Sequence, residues 1–423
     1  MRHADSIVLA LLLLACGRAA AFDWSLHGYV KDTPVYIGEV DYAFGGISSD
    51  ATWLNSTRTR LKARVLPVES LTLAVDYDIE GVYGRNVGTT GGYALAGDDN
   101  GVADLSWKMI GRDRFVAHHR IDRFYAQYYS DYAVLTLGRQ RVAWGVTSFF
   151  SPLDRFAPFA ATAIDKDEKT GVDAVKISIP WGMLSNFEAI YSPTNDRDVY
   201  NAGVRIRTNL AGWDVGIMGG EFHHDWLVGT SVSGDVYEAA LKAEMAVVEG
   251  ERTAANLYII KGSSSPFYMC SSDRGRYIQA AVSAEYGFAW RNLTVQAEGF
   301  YDGTGQSDRN LYAPEMFVPY WWTGERPAPR TTLAQLYGAG TASVLLHPLV
   351  TFSVAGIVNA NDGSWFTSPN IEWSVSENLI LRFGYQYYAG SVGSVSGYPT
   401  TKLFTEEFAL SPDMAYAILA LHF

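Results

Sequence analysis

The chain has 423 residues, with 33 Lys and Arg against 45 Asp and Glu for a formal net charge of −12, and it is 48% hydrophobic, 14% aromatic and 18% charged. Charged residues fall below the ~25% of an average soluble domain while aromatic residues and glycine are abundant, which excludes a disordered or coiled-coil chain. Acidic balance without clustered Lys and Arg argues against a nucleic-acid partner, because neutralising phosphates needs grouped cations. At the N-terminus, Arg2 precedes an apolar run from Ile7 to Ala15 and then Ala19-Ala20-Ala21, so residues 1–21 read as a signal peptide cleaved before Phe22. Leu13-Leu14-Ala15-Cys16 also reads as a lipoprotein box with Cys16 acylated, although Leu14 suits the position two before the cysteine less well than the alanines suit signal peptidase.

Beyond residue 21 no run of about 18 apolar residues exists, so a bundle of membrane-spanning helices is excluded. Alternation takes its place. Leu71, Leu73, Val75, Tyr77 and Ile79 face one way and Thr72, Asp76, Asp78 and Glu80 the other, as the two-residue period of a strand requires. The preceding strand carries Arg58, Arg60, Lys62 and Arg64 at every second position. Facing lipid, each would cost ~2 to 4 kcal/mol near the bilayer midplane, so these cations must face water. A turn centred near residue 68 would set Arg58 opposite Asp78 and Arg60 opposite Asp76. Two roles stay open for this hairpin: a basic ladder that lines a pore and biases it towards anions, or two ladders that neutralise each other and brace a wall.

Further along, the polar face continues with Arg123, Arg205, Arg207, Lys242, Glu244, Glu298 and Arg382, a lining of mixed sign suited to a water-filled interior. The pairs His118-His119 and His223-His224, the latter followed by Asp225, suggest a divalent metal, but adjacent strand residues point to opposite faces and make poor chelates. Strands are separated by short links near 67–69, 130–132, 181–183, 211–212, 249–252, 288–292, 347–348 and 376–378. Mostly longer links alternate with them, near 33–53, 84–117, 141–169, 193–198, 223–235, 263–276, 302–331, 360–365 and 389–412. This gives about eighteen strands, with sixteen as the alternative, in the pattern of an antiparallel up-and-down transmembrane β-barrel spanning residues 22–423. At that size wall side chains cannot fill the interior, so an open channel, a loop or an inserted partner must.

The segment 141–169 is the best candidate for an internal constriction, because Trp144, Phe149, Phe150 and Phe156, beside Asp154 and Arg155, are too apolar for a loop in water. Its surroundings, Gly138-Arg139-Gln140, Trp144-Gly145 and Ser151-Pro152-Leu153-Asp154, resemble a group of proteobacterial outer-membrane porin-like barrels, some of which form the barrel of porin–cytochrome complexes. The resemblance implies a channel or a sheath. The chain ends with Ala415, Ala417, Leu419, Leu421 and Phe423 on one face, which resembles the terminal strand that the barrel assembly machinery recognises, with Phe423 as its signal.

Three readings follow. The first is a passive channel for small hydrophilic or charged solutes, needing no cofactor, set in outer-membrane lipid and, as many porins are, compatible with a homotrimer. The second is an insulating sheath around a separately encoded multihaem cytochrome. The third, a barrel enzyme, requires a catalytic constellation at one rim that the spacing of Ser, His and Asp does not supply.

Overall fold

The computed structural model describes residues 23–42, 47–85, 87, 101–258, 267–309, 312, 332–395, 398–404 and 406–423. The expected signal peptide lies outside the described residues. The alternating segments form eighteen antiparallel strands: β1 (Asp23–Ile37), β2 (Thr52–Val68), β3 (Leu71–Gly84), β4 (Phe115–Tyr129), β5 (Val134–Gln140), β6 (Val172–Trp181), β7 (Ser185–Pro193), β8 (Tyr200–Leu210) and β9 (Trp213–Phe222). The second half comprises β10 (Asp225–Val236), β11 (Ala239–Tyr258), β12 (Phe267–Phe288), β13 (Leu293–Asp302), β14 (Leu336–His347), β15 (Val350–Asn359), β16 (Trp365–Ser376), β17 (Leu379–Ala389) and β18 (Met414–His422). Each pairs with its sequence neighbours, and β1 closes the sheet against β18, with Tyr29 opposite His422 and Tyr36 opposite Ala415. Phe423 completes the seam: its N–H and C=O exchange hydrogen bonds of 3.0 and 2.8 Å with Gly28. A closed sheet leaves no unpaired edge, which is what lets strands cross lipid.

Tight turns join the strands at one rim, the rim that also carries both described chain ends, and mostly longer segments join them at the other. Outward positions are apolar and exposed, as at Leu137, Ile217, Val228, Val282 and Phe383, whereas the inward set holds buried polar groups. Trp24, Trp213, Tyr286 and Trp373 point outward near the short-turn rim and Tyr387 near the long-loop rim, in the positions of aromatic girdles. The molecule is a closed eighteen-stranded barrel of the bacterial outer-membrane type.

The sequence boundaries fail between 223 and 276, where the expected loop 263–276 runs into β12, which begins at Phe267. The expected loop 223–235 is the tight turn His223-His224, with φ of 50° and 70°, followed by β10, and the expected turn 249–252 lies inside β11. The actual short turn is at Tyr237, where φ is 55°. Segment 225–236 is rich in Ser, Gly and Asp, yet Trp226, Val228, Thr230 and Val232 supply a regular outward face. The small residues face inward for a reason: a Cβ at Gly229 would lie 2.3 Å from the side chain of Leu153, which packs against that wall.

The hairpin register also differs from the expected one. Its turn falls at Glu69-Ser70, so Arg58 faces Glu80 and Arg60 faces Asp78, each two residues away from the predicted partner, and Lys62 faces Asp76.

Candidate functional site

The segment 141–171 leaves β5 and, instead of extending outward, crosses the lumen. Glu244 on β11 accepts hydrogen bonds from the backbone N–H groups of Val146, Thr147 (2.9 Å) and Leu153 (3.2 Å) and from the Ser151 hydroxyl (2.7 Å). Beside it, Glu298 on β13 accepts from the N–H groups of Ser148, Phe149 and Phe150 at 3.0, 3.1 and 2.7 Å. A loop entering the interior carries backbone donors that water no longer satisfies, and an ionised carboxylate receives several of them strongly. The aromatic side chains fill the space between. Phe150 stacks on Phe300 with centroids 4.8 Å apart, and Trp144 packs edge-on against Phe156, which meets Phe222 in the same way. Arg205 adds a further hold, its guanidinium over the Trp144 ring and one N–H on the Trp144 carbonyl, while Glu188 pairs with it at 2.6 Å.

At its far end the same segment docks on the charged hairpin. Lys31 on β1 pairs with Asp165 at 2.8 Å and Asp167 at 2.7 Å, Lys62 pairs with Glu168, and Arg123 reaches Glu168 at 2.9 Å. Counted along the closed sheet, β2 and β11 are half the circumference apart. The segment therefore spans the bore, holding one wall with its backbone donors and the opposite wall with its carboxylates.

The charged hairpin is a lattice rather than two free rows. Arg60, 1% exposed, makes a two-toothed contact with Asp78 at 2.5 Å, meets Asp122 at 3.0 Å and approaches Glu168 at 3.4 Å. Arg58 pairs with Glu80 (3.0 Å), Arg64 with Asp76 (2.6 Å), Arg123 with Asp76 (3.3 Å) and Arg120 with Asp78 (3.3 Å). A register shift in β4 beside Asp76 puts both Asp122 and Arg123 on the inner side, where strict alternation would allow one. Asp76, Asp78, Glu80 and Asp122 are buried, so the acids sit within this lattice and not at the water surface. Among the loop carboxylates, burial pushes the pKa of Asp165 and Glu168 up, but Lys31 for the first and Lys62 for the second outweigh it and hold both below the usual range.

Of the remaining expected lining residues, Arg382 pairs with Glu372 at 2.6 Å, while Arg207 is exposed and Lys242 half-buried on the inner face. Arg155 bonds Gln279 and Asp154 pairs with Lys169 within the crossing segment. The His118-His119 pair divides as alternation requires, with His118 buried inside near Glu80 and His119 pointing outward, bonded to Tyr77 at 2.9 Å and stacked on Trp107, whereas His223-His224 form a turn. Among the described residues no group of three or more metal-ligating side chains converges.

A second inward element was not legible. The turn 407–410 follows β17 and packs Phe408 against Phe366 in the cluster that contains Phe150. Glu407 there accepts from the Tyr337 hydroxyl at 2.5 Å and from the Asn359 amide at 2.9 Å, and its burial raises its pKa to about 7. One glutamate of the Glu406-Glu407 pair in a loop gives no sequence signal for such a place. Lys31 and Asp122 were missed likewise, since neither stands in a row of like charges.

No family model and no curated protein matches the chain. Solved structures share its fold over nearly their whole length. Pseudomonas aeruginosa OccK8 (OprE) aligns with a TM-score of 0.53 at 8% identity, over 96% of this chain and 99% of that one. OccK7 (OpdD) of the same organism gives 0.52 at 10% identity, over 95% and 99%. Acinetobacter baumannii OccAB2 gives 0.51 at 11%, over 94% and 98%. At such identities the likeness is one of fold.

Proposed function

We propose that this chain is an outer-membrane channel through which small hydrophilic solutes diffuse passively, with segment 141–171 setting its narrowest part. The observation that carries the reading is the two-sided attachment of that segment across the bore, on Glu244 and Glu298 at one wall and on Lys31, Lys62 and Arg123 at the other. A wall built only for lipid would need no such crossing. A size-limiting diaphragm does, and it must be rigid enough to exclude large solutes. The alternative sheath around a multihaem cytochrome meets the obstacle that the crossing segment occupies the middle of the lumen, where the cytochrome would sit.

Charge selectivity belongs to the same proposal. Arg58, Arg60, Lys62 and Arg64 each have an acidic partner, so their fields largely cancel and the hairpin acts first as a brace. Exposed Arg207 and half-buried Lys242 then contribute more per residue to any bias between anions and cations. The terminal strand ending on Phe423 fits recognition by the barrel assembly machinery. Liposome swelling tests the channel reading: vesicles holding the purified chain should admit small uncharged sugars at a rate that falls steeply with sugar size. Vesicles no more permeable than empty ones would contradict it.

A further inference from the structure

On the bilayer side of β6 to β12, near the long-loop rim, the wall is hollowed into a groove of about 960 Å³. Its floor is made by three small outward residues, Ala189, Ala202 and Gly219, set among larger neighbours. Trp226 and Val228, 59% and 65% exposed, stand along one side, and Tyr191, 49% exposed, stands along the other. These positions alternate with lumen-facing ones, so the groove has no access from the pore and can be filled only from the membrane.

The groove is polar at one end alone. Counting along paired strands, Glu221 lies beside Trp226, Trp226 beside Glu249, and Glu249 beside Arg276, forming a row at the rim. Tyr200 donates to Glu221 at 2.7 Å, and Arg276 pairs with Glu249 at 3.2 Å while staying 79% exposed. Tyr191, Tyr200 and Trp226 are the residue types that settle at the level of lipid headgroups. One row deeper the outward residues are Ile177, Val204, Val228 and Val247, all apolar. Polarity therefore runs from a headgroup-level rim into an apolar trough along the barrel wall.

We infer that this groove binds one phosphorylated, multiply acylated lipid of the outer leaflet, a lipid A-type molecule, with acyl chains over Ala189, Ala202 and Gly219 and a phosphate at Arg276. Long loops mark the outer face of a bacterial barrel, which places the rim in that leaflet. Arg276 is available for a phosphate because its pairing with Glu249 is solvent-exposed and therefore weak. The carboxylates of Glu221 and Glu249 repel a bare phosphate, so retention should rise when magnesium is supplied to screen them.

The test is native mass spectrometry of the full chain in detergent with magnesium, offered hexa-acylated bisphosphorylated lipid A, its dephosphorylated form, or phosphatidylglycerol. The expected result is one retained bisphosphorylated lipid A per chain, in preference to phosphatidylglycerol. A Cβ at Gly219 meets only ordinary contacts, 3.5 Å to the Leu227 carbonyl, so the double variant A202L/G219L should fold and fill the trough. It should lose retention of both lipid A forms by about tenfold. R276Q, which leaves the trough intact, should lose about tenfold for the bisphosphorylated form and little for the dephosphorylated one. Heat-dependent mobility on gels checks that each variant is a folded barrel, and R276Q carries the test if the double variant is not. Equal retention by the native chain and R276Q, or preference for phosphatidylglycerol, would overturn the inference. Both outcomes leave the channel reading untouched, since the groove lies outside the bore.

Discussion

At the scale of single residues, Arg60 shows how an interior can be charged and still solid. Its guanidinium reaches acids from three chain segments, Asp78 on the neighbouring strand, Asp122 at the irregularity in β4 and Glu168 on the crossing segment. An arginine suits this because its fixed fork of donors serves several acceptors at once. Removing one partner of a buried pair leaves the other uncompensated, at a cost of about 3 to 5 kcal/mol. R60A should therefore lower the urea midpoint of the barrel in detergent well below that of R207A, whose side chain is exposed. Equal midpoints would mean that the lattice contributes nothing to stability. The rows of charge were readable in the sequence, because a strand's period shows which residues share a face. Their pairing was not, since a one-residue error in the turn moved every partner by two positions.

At the scale of elements, the wall and the crossing segment exchange complementary groups: wall carboxylates receive loop N–H groups, and wall cations receive loop carboxylates. Neutralising the first set with E244Q/E298Q should free part of the diaphragm and give larger, noisier single-channel steps, whereas an unchanged conductance would mean that these contacts do not hold it. The acid end has a definite pH response. Asp165 and Glu168 have lowered pKa values, so their grip is present above the usual carboxylate range and is lost as pH falls through the lowered values.

Glu407 behaves in the opposite sense. Burial favours its protonated form, so its contribution to docking of the 407–410 turn is full below its ordinary pKa and is lost as pH rises through about 7. Protease cleavage between residues 390 and 413 should accordingly be faster at pH 8 than at pH 6, and E407Q should flatten that dependence. A cleavage rate independent of pH in the native chain would contradict the assignment. The crossing segment was legible, as 141–169, because its aromatics have no place in water. The 407–410 turn was not, because Phe404 and Phe408 in a polar stretch look like any loop. Strand β10 was hidden for the reverse reason: Leu153 packs where a side chain at Gly229 would stand, and the glycines and serines of 225–236 mimic a turn.

At the scale of the whole molecule, eighteen strands enclose more space than their side chains can occupy, and segment 141–171 crosses that space. The outward surface is apolar, bounded by aromatic residues and closed along the seam where Phe423 meets Gly28, so the polar groups are turned towards the lumen. The strand total was correct in the sequence although three of its links, 223–235, 249–252 and 263–276, were misplaced, because the missed strand Asp225–Val236 and the strand wrongly divided at 249–252 offset each other. The most direct measurement of the central claim is current through a planar bilayer after adding the purified chain alone. The expected result is stepwise, lasting conductance without any added protein. A silent bilayer that conducts only when a cytochrome partner is supplied would contradict it.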